Sequence, residues 1–270
     1  MNRRASVLRE MGLAPLWRLR DAPEAGGDSP PAEEHAAAAG VSDAADVVAA
    51  APGRERLAVP AAAARPPVMP TASPVVAPAP VRVATDGMDW DELEAAIGAC
   101  RACALHERRT MAVPGVGDRA ADWLFVGEGP GAEEDLRGEP FVGQAGKLLD
   151  AMLAAIGLAR GRNVYIANAV KCRPPGNRTP EAVEMTTCQP YLERQIELIQ
   201  PRIIVALGRP AAQTLLGGEV KINAARGRLF DRAGIPVVVT YHPAYLLRSP
   251  QDKAKAWEDL CFARAALAPR

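Results

Sequence analysis

Trp123-Leu-Phe-Val-Gly-Glu-Gly-Pro-Gly-Ala-Glu-Glu-Asp-Leu-Arg-Gly-Glu-Pro-Phe-Val-Gly-Gln-Ala-Gly146 decides how the rest of the chain is read. Its first four residues are apolar and predict a short buried strand. Gly127, Gly129, Pro130 and Gly131 then predict a tight turn at the strand's C-terminal end, where missing side chains let backbone N–H groups approach a ligand. In open α/β sheets ligands sit just past the strand ends. The glycine spacing is not Gly-x-Gly-x-x-Gly, and no Gly-Lys-Ser/Thr follows, so neither a dinucleotide fold nor a phosphate loop fits. The carboxylates of Glu133, Glu134, Asp135 and Glu139 would also repel phosphate. A neutral, planar, hydrogen-bonding ligand stacked on Phe141 suits these residues. A strand-to-helix connection without chemistry is the plainer alternative.

Outward from this stretch the pattern alternates. An amphipathic helix is expected from Asp89 to near Gly98, with Trp90, Leu93, Ala96 and Ile97 on one face. A helix over 144–156, a strand over 164–167 and a helix over 180–198 follow, the last with Thr179 as its N-cap. Strands over 203–207 and 237–240 alternate with helices over 210–216 and 251–267. Strands separated by helices predict a parallel sheet covered on both faces. The fold class is therefore α/β, a three-layer α/β/α sandwich with a central four-stranded parallel sheet, spanning 86–270. Upstream, 1–20 reads as a short basic and apolar element. Residues 21–85 read as an Ala/Pro-rich linker with too little apolar surface to offset chain entropy.

Lys+Arg and Asp+Glu both number 32, so the net charge is zero and a global polycation is excluded. The balance is uneven along the chain. Arg160, Arg162, Lys171, Arg173 and Arg178 occur between Ala151 and Pro180 with no acidic residue, a local basic surface suited to a polyanion. No apolar run reaches the roughly 18 residues of a membrane span. No apolar signal-peptide core is evident near the start.

Five cysteines do not make a disulfide framework, and a reducing, cytoplasmic setting is expected. Cys100 and Cys103 form a C-x2-C, and Cys172 and Cys188 add two ligands from distant segments. Four thiolates without histidine fit a structural centre, either Zn²⁺ or an iron–sulfur cluster, and spacing alone does not choose. Cys261 reads as core packing. Asn168 closes the second strand with an amide able to match a base edge, and His242 closes the fourth, followed by Pro243. Glu128, Phe141, Asn168 and His242 thus come from successive strand-end loops on one rim.

Gly-Glu-Gly-Pro-Gly, Pro-Phe-Val-Gly-Gln-Ala-Gly, Asn-Ala-Val-Lys-Cys-Arg-Pro-Pro-Gly-Asn-Arg and His-Pro-Ala-Tyr-Leu-Leu-Arg together resemble the type-4, iron–sulfur uracil-DNA glycosylases. The resemblance covers about 86–270. It implies that Cys100, Cys103, Cys172 and Cys188 ligate a [4Fe-4S] cluster. It further implies that Gly127, Glu128 and Gly129 line a uracil pocket, Phe141 stacks on the base, Asn168 reads its edge, and His242 contacts O2. The partner would be uracil-containing DNA, single- or double-stranded, met by a monomer. Arg173, Arg178 and Arg248 would hold phosphates, and Leu246 or Leu247 would fill the gap left by a flipped nucleotide. A branch that becomes covalently linked to uracil carries Gln in the first motif and a histidine in the basic loop. This chain has Gly129 and no histidine between Arg173 and Arg178. Other branches place Asp where Gly129 stands, so Glu128, Glu133 or Glu134 through a water, or the backbone alone, remain open as what orients the attacking water. A non-catalytic nucleic-acid-binding module of the same fold is the competing expectation. The residues specify no partner for the tail.

Overall fold

The computed structural model describes residues 83–267. The basic element expected at 1–20 and all but the last three residues of the expected 21–85 linker lie outside the described residues. Those three adjoin the fold: Val83 packs against the cluster around Leu93, and Thr85 Oγ1 donates to Pro190 O at 3.2 Å.

The apolar strand of the opening motif is β2 (Trp123–Gly127), and every residue in it is buried. Its side chains alternate between two cores, as a strand's period of two requires. Leu124 and Val126 pack on one face with Leu192, Ile196, Ala211 and Leu215. Trp123 and Phe125 pack on the other with Leu149, Leu153 and Leu260. Both faces are covered, so the strand reads as a continuous apolar run.

Strands β3 (Val164–Asn168), β4 (Ile203–Leu207) and β6 (Ile235–Thr240) complete the parallel centre, in the order β3-β2-β4-β6. Two edge strands were not expected. The two-residue β1 (Val116–Gly117) and β5 (Leu229–Arg232) pair antiparallel with β3 and β6, making six strands. Neither carries a buried side chain, so neither leaves an apolar run in the sequence.

Helix α1 (Trp90–Ala99) starts at a capping box between Asp89 and Glu92. Helices α2 (Ala132–Arg137) and α3 (Gln144–Ala155) follow the glycine turn. Helix α4 (Ala182–Ile199) begins later than expected: its N-cap is Glu181, not Thr179, and Glu184 Oε2 reaches back to accept the Glu181 N–H at 2.7 Å. Beyond β4 come α5 (Arg209–Leu216) and α6 (Ile222–Ala225). After β6, the short helix α7 (Pro243–Arg248) carries Leu246, Leu247 and Arg248, and α8 (Lys253–Leu267) closes the fold. None of the described helices is long and apolar enough to cross a membrane.

Candidate functional site

The parallel strands end at one rim, and the side chains singled out from sequence meet there. Gly127 closes β2, Asn168 closes β3, and the two are register partners across the parallel ladder. Glycine is a steric requirement at 127: a Cβ would fall on Asn168 Oδ1 and within 2.6 Å of Phe141 Cζ. The Phe141 and His242 rings lie 5.4 Å apart at 30°. Plate, amide and imidazole thus border one open cleft of about 1040 Å³, whose wall also includes Glu128, Arg209 and Arg248.

Asn168 is 1 % exposed, and its Oδ1 has no hydrogen-bond partner among the described residues. A buried oxygen in that state costs roughly 1–3 kcal/mol. Such an orphan acceptor at the edge of a cleft marks the place where a ligand donor belongs.

His242 caps α7. Its Nδ1 accepts the Ala244 N–H at 3.1 Å. A backbone N–H only donates, so Nδ1 holds a lone pair and the ring proton of the neutral form sits on Nε2. Burial first, and the charge of Arg248 second, pull its pKa down to about 4. The imidazole is therefore a neutral donor at physiological pH.

The acids divide into two kinds. Glu128 is half-buried, and burial pushes its carboxyl above the ordinary range, opposed by a Thr179 hydrogen bond and by Arg209. Glu134 is already committed: Oε1 accepts from Val142 N and Gly143 N at 3.0 and 3.1 Å, and Oε2 accepts from Gly131 N at 3.0 Å. Asp135, which is buried, takes the Thr110 N–H at 2.9 Å. These two carboxylates shape the loop, while Glu133 lies exposed. At Gly129, a Cβ would stand 2.7 Å from Val170 Cγ2, so Val170 fills the space that a side chain would need.

Cys100, Cys103, Cys172 and Cys188 gather in one apolar nest with Leu93, Leu105 and Tyr191. Arg109 Nη1 donates to Cys172 Sγ at 2.9 Å, and the Lys171 backbone N–H donates to Cys188 Sγ at 3.3 Å. Burial raises the Cys103 and Cys172 thiols and pushes Cys188 up to about 12, with neighbouring sulfurs adding to each rise. Bare thiolates at Cys103, Cys172 and Cys188 are thus disfavoured, and a positively charged inorganic centre would remove the penalty. Among the described residues, no three His, Cys, Asp or Glu side chains are spaced to hold a single ion. Cys261 is only partly buried in α8, not core as expected.

The residues expected at a nucleic-acid surface fare unevenly. Arg248 is exposed at the cleft. Arg173 Nε donates to Asn177 Oδ1 at 2.8 Å. Arg178 forks onto Glu184 at 2.7 and 2.8 Å and lies 3.3 Å from Glu181. Leu246 is 1 % exposed, packed with Tyr241 and Ala256, whereas Leu247 is 44 % exposed. Sequence reasoning passed over Arg209, which lines the cleft just past β4. The strand-end rule that found Gly127 would have found it too.

A rim of this kind on a doubly covered parallel sheet has a known counterpart. The uracil DNA glycosylase superfamily model matches residues 114–261, and the chain belongs to that superfamily. Within it the likeness is to type-4 proteins. A type-4 uracil-DNA glycosylase of Archaeoglobus fulgidus is 48% identical over 169 residues, 60% of this chain and 84% of the relative. One from Pyrobaculum aerophilum is 44% identical over 186 residues, 65% of this chain and 93% of the relative. A type-5 uracil-DNA glycosylase of the latter organism is 35% identical over 150 residues, 50% and 66% of the two chains.

Proposed function

We propose that this protein is a DNA-repair glycosylase that hydrolyses the N-glycosidic bond of uracil in DNA, releasing free uracil and leaving an abasic site. The observation that carries this reading is the orphan Oδ1 of Asn168 beside Phe141 and His242. Uracil turned out of the stack stacks on Phe141 and gives its N3–H to Oδ1. Cytosine offers a lone pair at N3, so the buried oxygen stays unpaired, at roughly 1–3 kcal/mol. Gly127, Glu128 and Gly129 form the adjoining wall.

As the bond to C1′ breaks, negative charge collects on uracil O2. His242 Nε2–H is the neutral donor held for that oxygen by the Ala244 cap. A placed donor of this type contributes about 2.7–4 kcal/mol. Glu128 is the catalytic carboxylate: Glu134 and Asp135 are tied to backbone N–H groups, while Glu128 faces the cleft beside Thr179. It orients water toward the oxocarbenium-like sugar. Arg248 and Arg173 meet phosphates, while the charge of Arg178 is offset by Glu184 and Glu181, so its part is to hold the basic loop against α4.

The four cysteines fit a [4Fe-4S] cluster better than one zinc ion. They supply four thiols, N–H donors point at two of the sulfurs, and they lack single-ion spacing. When bound, the cluster supplies structural cross-linking, pinning the Cys100–Cys103 segment to the basic loop. The DNA is uracil-containing, single- or double-stranded, the protein acts as a monomer, and its setting is cytoplasmic. The glycosylase domain is the segment from about 86 to 270.

Purified brown protein incubated with a uracil-containing oligonucleotide should yield an alkali-labile site and free uracil, with His242→Ala and Asn168→Ala much slower. An intact oligonucleotide in the presence of folded, iron-loaded protein would leave only salt-sensitive DNA binding, the property of a non-catalytic module.

A further inference from the structure

Phe141 holds a backbone conformation that its own side chain disfavours. Its φ is +55°, in the left-handed region that a bulky residue seldom occupies. Such a conformation persists only where the surroundings over-determine it. Below the loop, α3 comes so close that a Cβ at Gly146 would fall inside the Phe141 carbonyl. On one side Glu134 takes the Val142 and Gly143 N–H groups. On the other, Arg160 Nη1 donates to Pro140 O and Nη2 to Phe141 O, both at 2.8 Å. Those two carbonyls bracket the Phe141 dihedrals, and only a planar fork spans them together.

We propose that Arg160 is a positioning residue of the base pocket, whose forked donation to the Pro140 and Phe141 carbonyls holds the Phe141 ring in place against His242. The proposal rests on Phe141 being the plate on which uracil stacks. Arg160 belongs to the run of basic residues suited to a polyanion, but its nitrogens are already engaged. Nε donates to Asp150 Oδ1 at 3.1 Å, and both terminal nitrogens serve the loop. Its charge therefore points into the fold instead of toward phosphate.

The test uses the full, iron-loaded chain and single-turnover release of uracil from an oligonucleotide. The variants are Arg160→Met, Arg160→Lys, Phe141→Ala and the Phe141→Ala/Arg160→Met double. A misplacement of about 1 Å costs on the order of 100-fold, so Arg160→Met should slow release roughly 10- to 100-fold. Its Kd for uracil-free DNA should stay within about twofold, because the phosphate contacts are untouched. Arg160→Lys, which keeps charge but loses the fork, should fall between. In the Phe141→Ala background, Arg160→Met should change the rate by less than about twofold, since a pair acting as one unit is non-additive.

A full Arg160→Met effect on top of Phe141→Ala overturns the proposal, as does a wild-type rate in folded Arg160→Met. If Arg160→Met does not fold, Arg160→Lys carries the same comparison. If Phe141→Ala alone releases uracil at the wild-type rate, stacking on Phe141 falls and this proposal falls with it. If Phe141→Ala is slow and Arg160 variants are not, only the positioning role is lost.

Discussion

The amine of Lys171 lies 2.8 Å from the backbone oxygen of Asn168, so the residue preceding Cys172 also holds the strand end that bears the pocket amide. The same nitrogen donates to Gln195 Oε1 at 2.6 Å, and Gln195 Nε2 donates to Pro114 O at 2.8 Å. Lys171 is 1 % exposed. Lys171→Met leaves the Gln195 oxygen and the Asn168 carbonyl buried without this donor. Each orphaned acceptor costs roughly 1–3 kcal/mol. At about 2–4 °C per kcal/mol for a domain of this size, melting should fall by roughly 4–24 °C. Adding Gln195→Leu should recover part of the loss, because removing both partners is far less costly than removing one. A melting curve for Lys171→Met that overlays the wild type, at equal iron content, would contradict the bridge.

Gly127→Ala tests the pocket floor. The added methyl meets the Asn168 amide and the Phe141 ring at their ends, away from the sheet's hydrogen bonds. Uracil release should fall by about 100-fold or more, since Asn168 and Phe141 are displaced by around an ångström. Circular dichroism and the visible spectrum should be unchanged. Retained activity would mean that the base binds elsewhere in the cleft.

His242 sets an acid limit. Its pKa stands at about 4 in the fold against 6.5 for a free imidazole. Between those values the unfolded chain binds more protons, so stability rises with pH across the window and is lost as pH falls from 6.5 toward 4. The total is about 3 kcal/mol at roughly 1.4 kcal/mol per unit. Base release should show no His242 inflection between pH 6 and 8, and its acid limb should lie near the folded value. Arg248→Gln removes the second cause of the depression and should move that limb to higher pH, whatever it does to DNA affinity. An inflection near 6.5 in the wild-type profile would show an imidazole that titrates freely.

What the sequence made legible was whatever buries an apolar run or needs a glycine. The strands beginning at Trp123, Val164 and Ile203 have both faces covered, so runs of four or five apolar residues betray them. Gly127, Asn168 and His242 were legible because strand-end chemistry is local. Contacts made by distant polar groups were not. Nothing beside Lys171 in the sequence announces Gln195, and nothing beside Arg160 announces the Phe141 carbonyl. Both residues were therefore counted as basic surface. Edge strand β5 alternates exposed and half-exposed side chains, a pattern shared with any loop.

The same blindness governs the wedge, and here the outcome separates two adjacent leucines. Leu246 and Leu247 are indistinguishable in sequence, but the single turn of α7 sends them apart. Leu246 packs with Tyr241 and Ala256, and Leu247 stays 44 % exposed. Leu246→Ala should cost about 2–5 kcal/mol of stability through the cavity it leaves. Leu247→Ala should leave melting within about a degree, as surface truncations do. If Leu247 fills the gap left by the flipped nucleotide, its loss should slow uracil release from duplex DNA several-fold. It should do little on single strands, which have no stack to refill. The ratio of duplex to single-strand rates is thus the decisive measurement. An equal slowing on both substrates would assign Leu247 to general contact with the strand, and no slowing on either would remove it from the DNA surface.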